Sequence, residues 1–254
     1  TARFSVIGGE QAATAGRLVI AGGGVSRDNA ALYRSVLDAR SGSGPICVIA
    51  TASTNREGAQ GSIDGSVATF ERHGGAGTAQ GVLMAVDYTE PASDPAVAAR
   101  LRQCSGFYFT GGVQSRTMTV LRPGGTNTPA LDAILQRHRE GAVVGGSSAG
   151  AAIMSDPMIS GGSTTTSLAR GVRRASFADA DDDDTSGGVA IMPGIGFLPN
   201  ALVDQHFLAR GRIGRLIAAV LDTPEFDLGF GVDENTALVV DGDIVHPVGA
   251  SGVV

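Results

Sequence analysis

Gly146, Ser147, Ser148, Ala149 and Gly150 carry the sharpest chemical signal in this sequence. They spell Gly-x-Ser-x-Gly directly after an apolar, strand-like run and before an Ala-rich helix start. A serine in that context sits on a strained strand-to-helix turn, and its neighbours must be small for the backbone to pass. The turn lifts the Ser148 hydroxyl clear at a helix N-terminus, and the Ala149 N–H points where an oxyanion would form. An ordinary Gly/Ser turn is the bland alternative; the strand before and the helix after favour a nucleophile.

A nucleophilic serine needs a base, and the chain has four histidines. His73 reads as part of a polar loop. His138 reads as lying on a solvated helix face between Arg137 and Arg139. His246 falls in a final hairpin. His206 reads as the start of a helix, immediately after the strand-like GIGFLPNALVD, so it stands at a strand end as Ser148 does. Glu234, in GFGVDENTAL, ends another apolar strand and would orient the imidazole. The order is then Ser148, His206, Glu234. The α/β-hydrolase order, serine then acid then histidine, would use Asp227 or Asp233 with His246, and the hairpin histidine would have to swing back to the elbow.

Past His206 come three arginines. Arg210 is one helical turn on and shares its face; Arg212 and Arg215 follow, and Asp204 and Gln205 precede. Guanidinium forks suit carboxylates, so a substrate with free carboxylates is the functional reading. A solvated basic face is the bland one.

These side chains need a scaffold that brings strand ends together. Residues 17–24, 44–53, 81–87, 106–112 and 141–146 read as short apolar strands closed by Gly or Ser, a pattern of strands covered on both faces. Helical patterns separate them. In 128–140, Leu131, Ile134 and Leu135 share one face. In 206–221, Ile213, Leu216, Ile217 and Val220 form an apolar stripe. The alternation predicts an α/β fold with a doubly wound, mostly parallel sheet, ligands beyond its strand C-termini and a C-terminal hairpin. The whole of 1–254 reads as one catalytic domain. Residues 160–188 interrupt it as an acidic surface loop or insertion, with Asp179, Asp181, Asp182, Asp183 and Asp184 in a short run.

Composition narrows the chemistry. The 254 residues hold 19 basic and 25 acidic side chains, a net charge of −6. All the basic residues are arginine. Without lysine there is no Schiff base, no pyridoxal phosphate attachment and no P-loop lysine. The acidic balance speaks against nucleic acid as a partner, and no apolar run reaches the ~18 residues of a membrane span. The glycine turn at 22–24 lacks dinucleotide-binding spacing. Cys47 and Cys104 read as small buried core residues, with a single bridge as the alternative. The chain as given opens at Thr1 and displays no secretory leader; its compartment, cytoplasmic or secreted, is left open.

Four stretches together resemble a known family: FTGGVQSR (109–116), GGSSAGAAIMSDPMI (145–159), VDQHFLARGRIGRL (203–216) and GVDENTAL (231–238). They are similar to the cyanophycinases and, less closely, to the aspartyl dipeptidase called peptidase E. The resemblance implies a fold akin to class I glutamine amidotransferases and a triad of Ser148, His206 and Glu234. It implies an oxyanion hole of the Gly112 and Ala149 amides, and a substrate pocket of Gln114, Asp204, Gln205, Arg210, Arg212 and Arg215. It implies a homodimer that uses no metal or other cofactor. The implied substrate is cyanophycin, a polyaspartate whose side chains carry arginine, cut in its backbone to release β-Asp-Arg. Activity on aspartyl or β-aspartyl dipeptides is the neighbouring expectation. A catalytically silent binding protein on the same scaffold is the expectation of another class. Both cysteines lie off the elbow, which disfavours an amidotransferase. Two positions depart from the family pattern. Val113 stands where an aspartate is expected. The acidic run also lengthens the gap from Ser148 to His206; it could steer an arginine-rich polymer, bind calcium, or be a solvated loop.

Overall fold

Strands and helices alternate through most of the computed structural model, which describes residues 2–3, 15–176 and 187–254. The first half runs β1 (Ala2–Arg3), β2 (Leu18–Ala21), α1 (Ala30–Leu37), β3 (Ile46–Ile49), α2 (Arg56–Gly74), β4 (Ala79–Val82), α3 (Glu90–Ser93), α4 (Pro95–Leu101) and β5 (Gly106–Phe109). Then come α5 (Gln114–Leu121), α6 (Pro129–Arg139), β6 (Val143–Ser147), α7 (Ala149–Ala152), β7 (Met158–Gly161), α8 (Thr164–Arg170) and β8 (Val172–Arg174). The chain closes with β9 (Val189–Met192), β10 (Leu202–Asp204), α9 (Ile213–Asp222), β11 (Gly229–Gly231), β12 (Thr236–Asp241) and β13 (Ile244–Gly249).

The main sheet has the order β1-β13-β12-β2-β6-β5-β3-β4. Strands β2, β6, β5, β3 and β4 are parallel, and β12 and β13 add an antiparallel hairpin at one side. β2, β3 and β5 are buried along their whole length. Both faces are covered, so successive side chains enter opposite cores. Leu18 and Ile20 join one hydrophobic cluster while Val19 and Ala21 join the other. Helix starts are set by local chemistry. The Asn29, Asn55 and Thr128 side chains accept the amides of Leu32, Gly58 and Leu131, which opens α1, α2 and α6. Among the described residues no helix is long and apolar enough to cross a membrane.

Several expectations need correction. The strand expected at 81–87 is β4, ending at Val82. Met84 and Ala85 beyond it are fully buried outside the sheet, and Ala85 pairs only with Tyr88 in an isolated bridge; apolarity there signals burial, not a sheet strand. The expected loop at 160–188 holds α8 and β8, and with β7 and β9 it builds a three-stranded sheet in the order β7-β9-β8. Its Ser/Thr-rich stretch is a helix start: Ser163 and Thr166 form a capping box. The acidic run Asp179–Asp184 lies outside the described residues. His73 belongs to the last turn of α2. His138 is buried rather than solvated: its Nδ1 lies 3.1 Å from the Ala142 carbonyl oxygen and its ring packs edge-on against Phe197. Cys47 and Cys104 are buried and also bonded to each other. The pairing of β3 with β5 sets them 5.9 Å apart at Cα, a proximity that spacing along the chain does not display.

Candidate active site

The C-terminal ends of β2, β5 and β6 meet at Ser148. The residue lies between β6 and α7 with φ 56° and ψ −114°, a conformation side-chain-bearing residues rarely hold. Its neighbours explain how the chain tolerates it. A Cβ on Gly146 would run into the Gly150 carbonyl, and one on Gly150 into the Phe109 carbonyl. Both glycines of the motif are thus fixed by close backbone approach. The Ser148 amide is tied to the Ala21 carbonyl at 3.0 Å. Ala149 opens α7, so its N–H has no partner within the helix. Gly111 lies against the nucleophile: a Cβ on it would stand 3.3 Å from Ser148 Cβ. The Gly112 amide makes no backbone hydrogen bond among the described residues.

The Ser148 hydroxyl lies 2.9 Å from His206 Nε2, and His206 Nδ1 lies 2.5 Å from Glu234 Oε1. With the proton on Nδ1 donated to the carboxylate, the Nε2 lone pair is free to accept from Ser148. His206 does not start a helix as expected. Its φ is 47°, it occupies a turn, and α9 begins only at Ile213. The turn is pinned from three directions. The His206 amide donates to the Gly22 carbonyl at 2.7 Å. Asp233 Oδ1 accepts the Leu208 and Ala209 amides at 3.0 and 2.9 Å. Asp233 Oδ2 accepts the Ser251 hydroxyl at 2.6 Å. The β2 glycine turn packs on the imidazole so closely that a Cβ on Gly23 would overlap the ring. Burial lowers the His206 pKa from its ordinary 6.5, and the Arg210 and Arg212 charges act with it; Glu234 pulls the other way. Asp233, considered from sequence only as a triad acid, thus holds the base in place instead. Its signal was weak, a single acid inside Asp-Glu-Asn.

The remaining candidates divide. Gln205 is buried beside the nucleophile, with its Oε1 3.4 Å from Ser148 Oγ. Asp204 and Arg215 are each 1% exposed and bind one another: Arg215 Nε and Nη2 donate to the two carboxylate oxygens at 2.9 and 2.5 Å. Arg215 Nη1 also donates to the Gly162 carbonyl. Arg215, expected to hold a substrate carboxylate, and Asp204, expected in the substrate pocket, are therefore corrected to partners of each other. A charge buried this deeply must be paired, and these two pair with each other. Arg212 is buried and donates to the Gln205 carbonyl at 2.8 Å. Gln114 is buried, and its amide nitrogen donates to the Ile159 carbonyl at 3.1 Å. Arg210 is exposed near His206. The α9 stripe does not face inward as a whole: Leu216 is buried, but Ile213, Ile217 and Leu221 are exposed. The hydrolase-type alternative is not the arrangement found, since His246 lies on β13 opposite Val239.

Comparison with known proteins places this chain in a group. The model of peptidase family S51 matches residues 18–248. The cyanophycinase of Trichormus variabilis is 39% identical over 148 residues, 58% of this chain and 43% of that protein. That of Geminocystis herdmanii is 36% identical over 155 residues, 61% of this chain and 49% of that protein. The chain thus aligns with less than half of these relatives' length. Among solved structures, a peptidase from an acI-B1 Actinobacterium superposes with a TM-score of 0.65 at 20% identity, covering 94% of this chain and 89% of the other. A candidate peptidase E from Listeria monocytogenes superposes at 0.52 with 15% identity, covering 94% and 100%. These likenesses establish the fold.

Proposed function

Since this chain belongs to peptidase family S51, we propose that it is a serine exopeptidase of cyanophycin, cutting the polyaspartate backbone and releasing β-Asp-Arg. The observation that carries the reading is the contact chain from Ser148 Oγ to His206 Nε2 and from His206 Nδ1 to Glu234. His206 accepts the Ser148 proton as Oγ attacks the scissile carbonyl. Glu234 fixes the imidazole tautomer and stabilises the imidazolium. The Gly112 and Ala149 amides receive the oxyanion, an interaction whose loss typically costs about 10²–10³ in rate. His206 then protonates the leaving amine, and water enters to clear the acyl-enzyme. Arg210, exposed beside the base, takes a substrate carboxylate, while Arg212 holds the Gln205 backbone and Asp204. Asp204 and Arg215 shape the pocket wall through their mutual pair. Named relatives support the substrate: the similar proteins of Trichormus variabilis and Geminocystis herdmanii are cyanophycinases.

The test is incubation with purified cyanophycin, wild type beside Ser148→Ala, with soluble products read by mass. Wild type alone is expected to release β-Asp-Arg. If the polymer stays intact while a serine-directed phosphonate labels Ser148, the substrate assignment fails and aspartyl dipeptides become the reading. If Ser148 takes no label either, the nucleophile assignment fails with it.

A further inference from the structure

A cleft that Gln205 does not line opens beside Ser148, against Gly111 and Ser147. Its volume is about 270 Å³, just below the usual range of drug-sized ligand sites and enough for a single residue. Gly111 and Ser147 form its floor at the strand ends, and none of Gln114, Asp204, Gln205, Arg210, Arg212 or Arg215 lines it. One wall is α2, which presents Gly61, Ser62, Gly65, Ser66 and Thr69. A helix beside a sheet ordinarily turns an apolar stripe inward. Here the face toward the cleft is small and hydroxylated, and glycine inside a helix is destabilising. The face leaves room rather than filling it.

Arg27 supplies the charge. It lies in the β2–α1 loop, lines the cleft, and places Nη2 3.5 Å from where a Cβ on Gly65 would stand. Among the described residues it forms no ion pair, because its neighbour Asp28 is taken by Arg72 at 2.6 Å. Its backbone is anchored: His73 Nε2 lies 2.8 Å from the Arg27 carbonyl oxygen, and the His73 ring stacks on Tyr33 of the cleft wall. An exposed guanidinium with no ion pair among the described residues, on an anchored backbone, over hydroxyls and near the nucleophile, matches a carboxylate.

We propose that this cleft is a second substrate subsite, which holds the residue leaving across the scissile bond, and that Arg27 binds a carboxylate of that residue. The assignment rests on the reading of Ser148 as the peptidase nucleophile, and its test separates the two. The probe is two α-linked aspartates, each carrying arginine on its side chain, bound to the Ser148→Ala protein. Adding Arg27→Ala is expected to weaken binding at least tenfold. Amidating both carboxylates of the probe's C-terminal unit is expected to abolish that difference. Gly61→Leu is the second variant. No atom lies within 4 Å of a Cβ there, so the side chain enters the cleft without disturbing the helix. It is expected to weaken binding while the melting temperature holds or rises. An affinity unmoved by both variants overturns the subsite, as does an Arg27 effect that survives amidation. Arg27-dependent binding by a protein whose wild type cleaves nothing would leave the subsite and remove the peptidase reading.

Discussion

His206 must be neutral to accept the Ser148 proton, so its environment fixes the acid limb of activity. Burial and the Arg210 and Arg212 charges lower its pKa below 6.5, and Glu234 opposes them. Activity is therefore expected to rise with pH through a midpoint below 6.5. Arg210→Ala removes a lowering charge and should move that midpoint upward, apart from any loss in substrate affinity. Glu234→Gln removes the opposing group. It should move the midpoint further down and lower kcat by as much as about 10⁴, as neutralising a triad acid does. A pH profile of kcat/KM for the three proteins checks both directions; a midpoint unmoved in either variant would count against the electrostatic account. At this scale the sequence was informative. The residue types and order Ser148, His206, Glu234 were legible, and the structure brings those side chains into contact. Asp204 and Arg215 were legible as important but not in their use, because a mutual, buried ion pair cannot be seen along the chain.

Among the elements, the 206–211 turn decides whether the base faces the nucleophile. An apolar period over 206–221 suggested one continuous helix. The helical path breaks at Gly211, which adopts φ 60° before α9 starts, and Asp233 accepts the Leu208 and Ala209 amides that a first helical turn leaves without partners. Asp233→Ala is expected to free those amides and the Ser251 hydroxyl. Stability should fall by about 0.5–2 kcal/mol, the usual cost of removing a side chain that caps free backbone amides. Phosphonate labelling of Ser148 should slow together with kcat, while Asp233→Asn, which keeps an acceptor, should recover part of both. Wild-type kcat in the alanine variant would mean that the turn holds without this carboxylate. The central strands of the main sheet, by contrast, were legible, although β4 lies earlier than its apolar run suggested and the small β7-β9-β8 sheet was not seen. Fully apolar runs such as Leu18–Ala21 and Ile46–Ile49 have no solvent face, and the doubly wound sheet follows from their alternation with helices.

Across the whole molecule, the disulfide ties β3 to the segment entering β5. It closes a loop of 57 residues in sequence separation. Constraint of the unfolded chain then predicts that replacing Cys47 and Cys104 by alanine costs about 2–4 kcal/mol. The strand ends that carry Ser148 are not altered, so turnover per folded molecule should stay close to wild type at room temperature. Denaturant unfolding gives the first quantity, and thiol titration of unfolded wild type, expected to find no free thiol, checks the bond. Unchanged stability would mean that the bond does not constrain the chain.

By itself the sequence determined the α/β class, the elbow and the order of its chemical groups. Each of these is written in local properties: continuous apolar runs, glycines at sharp turns, a serine between small residues. Only the tertiary structure decided which charges face a ligand and which face each other. The sequence singled out Arg215 and passed over Arg27, yet their settings are opposite. One is buried on Asp204 and the other stands over an open cleft. Burial, pairing and pocket shape arise between segments distant along the chain, so no local pattern encodes them.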